Sequence, residues 1–171
     1  MFFVPYISTP DGQVVNVSIT SMTDADAAQT IREPLWQTDW TSDYIQHSSS
    51  LKYAVHTAQH ELIALGMYEP RPNAMVVRIV YMEAQPQSNP TLSQDSPRYR
   101  GIGKLLVAFG IKLSIDYGFG GDVLLEAKTD KLAAHYQQDF GGLPLPTFNG
   151  SAPRFLIQGE AAKNIFFCYL K

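Results

Sequence analysis

The segment 104–117 constrains the fold more than any other, because it is a long helical segment that is apolar on nearly every side. Its buried candidates are Leu105, Phe109, Ile111, Leu113 and Ile115. A helix that is apolar all round is covered on both sides rather than on one. It connects apolar strands at 74–82 and 122–127, and such a strand, crossover helix and strand form a parallel pair. We therefore predict an α/β protein in which this helix packs on a sheet.

The remaining segments predict mostly antiparallel neighbours. Strands at 52–58, 62–68 and 74–82 follow in close order, with a turn at 69–73, which is typical of an antiparallel meander. The polar segment 83–97 is expected to be a loop. The further predicted elements are a strand at 14–19 with a short partner within 2–7, a helix from Ala25 until Pro34, a helix at 42–48, a helix from the cap Thr129 to Phe140, and closing strands at 153–157 and 164–170 with room for a helix between them.

Composition indicates one globular domain over 1–171 and excludes several classes of protein. Of 171 residues, 45% are hydrophobic and 17% charged, which is enough for one buried core. The net charge of −3 gives no reason to expect nucleic acid or an anionic membrane as a partner. No apolar run approaches the ~20 residues of a membrane span, and the start does not resemble a signal sequence. We therefore expect a cytoplasmic protein.

Neither the single cysteine nor the group of two histidines and a glutamate predicts a metal site. The single cysteine, Cys168, excludes an intrachain disulfide and a four-cysteine zinc site, and it is expected to pack. If the segment that holds His56, His60 and Glu61 is a strand, residues four apart on one face are about 13 Å apart at ~3.3 Å per residue. That distance is too great to share one ion, so we predict no metal. His135 is expected on the surface of its helix.

Two glycines and three basic residues mark the beginning of the apolar helix. The string is Arg98-Tyr99-Arg100-Gly101-Ile102-Gly103-Lys104. A helix N-terminus offers unpaired N–H groups and a partial positive charge, and glycines let a phosphate approach the backbone closely. The three basic side chains add charge in the same place. This segment, the motif 98–104, therefore predicts a pyrophosphate site.

Spacing excludes the two common nucleotide motifs here. A Walker A loop needs glycine at 98 and serine or threonine at 105, where the chain has Arg98 and Leu105. A dinucleotide fingerprint starting at Gly101 needs a third small residue at 106, and it follows a strand directly rather than a long loop. Position 106 is Leu106. The phosphate ligand is therefore of another kind.

The pattern that remains, Arg/Gln-x-x-Gly-x-Gly/Ala, is satisfied by Arg98, Gly101 and Gly103, and here the chain resembles the GNAT superfamily of acetyl-CoA-dependent N-acyltransferases. The order of predicted elements agrees with that family over essentially the whole chain. The resemblance implies a mixed, mostly antiparallel central sheet, splayed near its middle where CoA lies, with helices on both faces. It also implies acetyl-CoA as cosubstrate and no metal.

The resemblance further implies which residues act. CoA contacts fall to Tyr81, Met82, Arg98, Tyr99, Arg100, Gly101, Ile102, Gly103 and Lys104. Glu83, at the end of the strand before the loop, matches the position from which a general base accepts the amine proton. Tyr136 matches a tyrosine that protonates the departing thiolate. The alternative interpretations are a solvated carboxylate at a strand end and an ordinary half-buried aromatic.

The implied activity is acetyl transfer to a primary amine of a small molecule or peptide, by direct attack in a ternary complex. The alternative is a non-catalytic acyl-CoA-binding sensor or interaction module, which needs the motif 98–104 but neither Glu83 nor Tyr136. Dimers are frequent in the family, and the sequence does not decide the oligomeric state.

Trp36, Trp40 and Tyr44 lie where the family forms one wall of the acceptor cleft, and they are expected in the core. The loop 83–97 is expected to border the acceptor site.

Overall fold

The computed structural model describes all residues from 1 to 171 and has eight strands and five α-helices. The strands are β1 (Tyr6–Ser8), β2 (Val14–Ser21), β3 (Leu51–Thr57), β4 (Leu62–Arg71), β5 (Val76–Ala84), β6 (Val123–Glu126), β7 (Leu143–Leu145) and β8 (Arg154–Ile157). The helices are α1 (Asp24–Gln29), α2 (Asp43–Gln46), α3 (Ile102–Asp116), α4 (Asp130–Gln138) and α5 (Gly159–Phe166), with short 3-10 helices at Pro86–Ser88 and Phe167–Tyr169.

The strands form one sheet in the order β1-β2-β3-β4-β5-β6-β8-β7. β5 and β6 are parallel, in register from Val77 with Val123 to Ile79 with Leu125. The pairs β1–β2, β2–β3, β6–β8 and β7–β8 are antiparallel. The predicted mixed, mostly antiparallel sheet with one parallel pair is therefore confirmed. Among the helices, none is both long and apolar enough to span a bilayer.

Backbone contacts divide the chain into two compact units. The motif unit comprises Val4–Met67 and Tyr81–Leu106, and the C-terminal unit comprises Met1–Phe3, Tyr68–Val80 and Val107–Lys171. The prediction of a single domain stays a prediction. Each unit is described by itself below.

In the motif unit, α1 is shorter than the predicted helix. Thr23 caps it in a reciprocal capping box with Asp26, as N-terminal threonines do. The helix ends at Gln29 rather than at Pro34. At its end, the Thr30 hydroxyl donates to the Ala27 carbonyl at 2.7 Å and accepts the Trp40 N–H at 3.1 Å, so Thr30 ties the segment that follows to the helix.

The aromatic residues of this segment divide between core and surface. Trp36 and Trp40 are buried, which confirms the prediction that they belong to the core. Tyr44 is 69% exposed, so the same prediction is wrong for this residue. It lies on α2, a helix of one turn whose buried residue is Ile45. A helix this short covers only one side chain, which leaves its neighbour in solvent.

The β4–β5 hairpin is longer than the sequence predicts. β4 continues through Pro70 to Arg71, and the turn lies at 72–75 rather than at 69–73. β5 continues to Ala84, so Glu83 lies inside a strand and not at its broken end. The predicted loop therefore begins after residue 84, and it opens with the 3-10 helix Pro86–Ser88.

In the C-terminal unit, a glycine brings α3 close to the sheet. A Cβ on Gly110 would lie 3.0 Å from the Ile79 Cδ1 atom and 3.2 Å from the Tyr68 Cε1 atom, closer than most such contacts. Leu113 is buried as predicted, whereas Ile115 is 44% exposed. Ile115 belongs to the last turn of the helix, and its predicted burial is wrong.

The predicted strand at 164–170 is wrong, because this segment is helical. It holds the end of α5 and the 3-10 helix Phe167–Tyr169. The buried residues of α5 and this 3-10 helix are Ala162, Ile165 and Tyr169, spaced three and four apart, which is the spacing of one helix face. Cys168 is exposed on this segment rather than packed in the core.

Candidate functional site

The motif 98–104 lies at the start of α3, as predicted. Gly101 has φ +86°, a conformation that residues with a side chain rarely adopt, and α3 begins at the next residue. The first backbone bond into the helix runs from the Leu105 N–H to the Gly101 carbonyl at 3.0 Å. A Cβ at Gly101 or Gly103 would meet no atom within 4 Å. Open space therefore lies beside both glycines, at the end of the helix that attracts anions.

Strand β1 holds the residue immediately before the first glycine. The Arg100 N–H donates to the Ser8 carbonyl at 2.7 Å, and the Ser8 N–H donates to the Arg100 carbonyl at 3.0 Å. The Arg100 side chain is exposed, and that of Lys104 is partly exposed. The backbone that leads into the helix is thus fixed while both cationic side chains reach solvent.

Arg98 has a partner that the sequence did not indicate. Its Nη2 atom lies 2.9 Å from the Glu61 Oε1 atom, and its guanidinium lies 5.4 Å from the centre of the Tyr99 ring. The hydrogen bond with Tyr99 and the charge of Glu61 raise the pKa of Arg98. Arg98 is therefore a permanent cation, and Glu61 offsets its charge.

Glu83 lies in a buried pocket of N–H donors within the motif unit. It is 7% exposed, and its Oε2 atom accepts the Gln37 N–H at 2.6 Å. Its Oε1 atom accepts the Thr38 N–H at 3.2 Å and the Trp40 indole N–H at 3.0 Å. Glu83 is thus not the solvated carboxylate that the alternative interpretation required. Three donors hold it in one orientation, and its role as a base stays a prediction.

Tyr81 precedes Glu83 by two positions on β5, so both side chains project from the same face of the strand. Its ring packs edge-on against Trp40 at 6.3 Å and against Tyr44 at 6.4 Å. Tyr81 and Met82 are both half-buried. The face of β5 that carries Glu83 therefore also packs against aromatic rings, of which Trp40 is buried and Tyr44 is exposed.

Tyr136 lies on the buried face of α4 in the C-terminal unit. Thr129 caps that helix by accepting the Leu132 N–H at 3.1 Å, as predicted. The Tyr136 ring stacks on Phe140 and packs edge-on against Phe155, both at 6.2 Å. Burial raises the pKa of Tyr136. The phenol is therefore protonated at neutral pH, which a proton donor requires.

Known proteins match this chain in structure but not in sequence. No protein-family model matches the sequence, and no curated protein is significantly similar to it. The spermidine N-acetyltransferase of Vibrio cholerae in complex with CoA and spermine matches with a TM-score of 0.57 and 15% identity, covering 86% of this chain and 98% of that chain. The SpeG enzyme of the same organism with manganese ions matches with a TM-score of 0.54 and 12% identity, covering 82% and 91%. The chain has the GNAT fold.

The GNAT fold confirms the family resemblance at the level of architecture. At 12–15% identity the comparison carries the fold and not the roles of individual residues. In this GNAT fold no group of three or more His, Cys, Asp or Glu side chains is placed to hold a metal ion. His56 instead lies 2.7 Å from the Asp26 carboxylate, and His135 is on the surface as predicted, paired with Asp139.

In the GNAT fold of this chain, Tyr136 should control part of the alkaline loss of stability. Folding raises its pKa above the value of about 10 in an unfolded chain, so the folded chain keeps a proton that the unfolded chain releases. Its contribution is fully present below about pH 10 and is lost as the pH rises through the folded value. The free energy of unfolding should fall more steeply above about pH 10 in the wild type than in Tyr136→Phe. Denaturant titrations across that range measure it, and equal slopes would contradict the assignment.

Proposed function

We propose that this protein is an acetyl-CoA-dependent N-acetyltransferase that acetylates a primary amine of a small molecule. The observation that carries the proposal is the position of the motif 98–104 at the start of α3 in a chain with the GNAT fold. A matching solved structure with that fold is an enzyme in complex with CoA and spermine. The motif 98–104 thus supplies positive charge for a phosphate, in a fold that binds CoA in that neighbour.

The residues at the motif suit the pyrophosphate of CoA. The N–H groups of the first turn of α3 point out of the helix end, where they attract phosphate oxygens. The space beside Gly101 and Gly103 lets a phosphate reach them. Arg100 and Lys104 supply positive charge. Acetyl-CoA, when bound, supplies an activated acetyl group as a thioester.

Glu83 and Tyr136 are proposed as the base and the acid of this reaction. An amine attacks a thioester only after its ammonium form loses a proton, and a carboxylate accepts such a proton directly or through one water. The carboxylate of Glu83 has about four acceptor positions, and it meets only three donors, one of which, the Thr38 N–H, reaches both oxygens. Tyr136, protonated at neutral pH, holds a proton for the departing sulfur.

A cationic alkylamine suits the charge of the segment 30–44, which runs from the end of α1 into α2. Three of its four charged residues, Glu33, Asp39 and Asp43, are acidic, and all three are exposed. The exposed ring of Tyr44 stands at the end of the same segment, and aromatic faces attract ammonium groups. A spermidine N-acetyltransferase with CoA and spermine is among the matching structures. We therefore place small diamines and polyamines first among the acceptors.

The deciding experiment measures CoA thiol release from acetyl-CoA with a panel of amines. The panel contains diamines and polyamines, monoamines, an amino acid and a peptide with a free N-terminus. We expect release with alkyl diamines or polyamines and little with the peptide. Release with the peptide alone would contradict the proposed acceptor.

The alternative, a CoA-binding module without catalysis, draws support from one contact set. The three N–H donors around Glu83 explain that buried carboxylate as a structural anchor, with no base required. Calorimetric titration with CoA, together with the thiol-release assay, distinguishes the two functions. Tight binding of CoA without thiol release for any amine would establish the module and reject the enzyme.

A further inference from the structure

A buried polar network lies beneath the segment that leads into the motif. Gln85 is 3% exposed, and its Nε2 atom donates to the Glu61 Oε2 atom at 3.0 Å and to the Leu62 carbonyl at 3.2 Å. Its Oε1 atom accepts the Ser88 hydroxyl at 2.9 Å. Its backbone N–H donates to the Ile63 carbonyl at 2.8 Å. A buried amide with partners on both sides fixes the conformation of the segments that it joins.

Ser88 connects this network to the motif. While its hydroxyl donates to Gln85, its Oγ atom accepts the Tyr99 backbone N–H at 3.1 Å. A second backbone bond runs beside it, from the Arg98 N–H to the Gln87 carbonyl at 3.1 Å. Ser88 is 8% exposed, so water does not replace its bonds easily. The beginning and the end of the loop 85–99 are thus bonded to each other, at Gln87 and Ser88 on one side and at Arg98 and Tyr99 on the other.

Glu61 closes the network from the opposite side. One carboxylate oxygen accepts the Gln85 amide, and the other accepts Arg98 at 2.9 Å and the Tyr99 hydroxyl at 3.2 Å. One oxygen therefore bonds to the buried Gln85, and the other bonds to the motif 98–104. We call Glu61, Gln85 and Ser88 the loop network.

We propose that the loop network positions the phosphate-binding motif. Its members bond to Arg98 and Tyr99, which stand just before Arg100 and Gly101, and α3 begins at Ile102. Because Ser8 also holds Arg100 from the β1 side, the backbone N–H groups of three successive residues before Gly101 are bonded. This inference rests on the proposed function in one respect, that CoA is the ligand of the motif. Glu61, Gln85 and Ser88 are positioning residues, and they act through Arg98 and Tyr99.

The test compares Ser88→Ala with Ser96→Ala. Both change serine to alanine in the same loop, but Ser96 is exposed and lies outside the network. Ser88→Ala should raise the Kd for CoA and the KM for acetyl-CoA by about fivefold to tenfold, because it removes the buried hydrogen bonds of Ser88 with Gln85 and with the Tyr99 N–H. It should leave kcat at saturating acetyl-CoA and the KM for the amine within about twofold.

Hydrogen exchange of the Tyr99 amide reports on the network without any ligand. We expect this amide to exchange at least about tenfold faster in Ser88→Ala than in the wild type, and unchanged in Ser96→Ala. Faster exchange with unchanged CoA affinity would overturn the positioning role, and so would equal effects of the two variants on CoA affinity. A wild type that does not bind CoA overturns both proposals. A wild type that binds CoA without releasing thiol overturns the enzyme alone, while the affinity of Ser88→Ala still decides the positioning role.

Discussion

Replacing Glu83 by glutamine should lower kcat for amine acetylation by about 100-fold or more, the range that general bases contribute. Glutamine has nearly the same shape but only one acceptor oxygen, whereas the Glu83 carboxylate uses both oxygens against three N–H donors. The glutamine amide also directs its own hydrogens at one of these donors. The site loses a base and, at the same time, part of its internal order.

Two further variants separate these effects. Glu69→Gln makes the same change at a partly exposed position on β4, and it should leave kcat within about twofold. Trp40→Phe keeps the carboxylate and removes one donor, at 3.0 Å from Glu83. If Glu83 acts as a base, Trp40→Phe should lower kcat by less than about tenfold. A loss equal to that of Glu83→Gln would show that orientation of the 37–40 segment, not proton transfer, explains the effect.

Gly101→Ala should weaken CoA binding by at least about tenfold, because a methyl group then occupies the space where a phosphate meets the start of α3. Gly101 has φ +86°, so alanine also adds a backbone strain of about 1–2 kcal/mol. Its Cβ meets no atom within 4 Å, so the variant should fold. Calorimetric titration with CoA and thermal unfolding measure the two effects separately.

The matched control is Gly118→Ala, just after the other end of α3. Gly118 has φ +82° and also no atom within 4 Å of an added Cβ, so the strain is the same in kind. It should lower the Tm by about as much as Gly101→Ala and leave CoA affinity unchanged. Comparable loss of affinity in the two variants would mean that strain in α3, and not contact with phosphate, explains the result.

The order of most elements could be predicted because local chemistry determines them. The alternation in β2, the cap at Thr129 and the glycines before and after α3 are all signals carried by a few adjacent residues. The C-terminal helix could not be predicted in this way. Its sequence Ile165-Phe166-Phe167 is a short apolar run, which strands and buried helices share. Packing decides between them, and packing is not local.

The candidate site likewise has a part that the sequence predicts and a part that it does not. The motif 98–104 is contiguous, so its charge and its glycines are visible in the sequence. The loop network joins residues 61, 85, 88 and 99, which no spacing rule connects. The environment of Glu83 was missed for a related reason. Two of its three donors are backbone N–H groups, which every residue except proline carries and which therefore leave no trace in the sequence.

The backbone bridge between Ser8 and Arg100 is expected to couple the affinity of the proposed CoA site to the attachment of β1. Whenever β1 detaches, Arg100 loses both of its backbone bonds, and the residue before Gly101 is no longer fixed. Small edge strands detach locally at a lower free energy than the whole chain unfolds. The apparent Kd then equals the intrinsic value divided by the fraction of molecules in which the strand is attached. If the motif 98–104 binds CoA as proposed, a substitution in the first hairpin, far along the sequence from the motif, should change CoA affinity by changing that fraction.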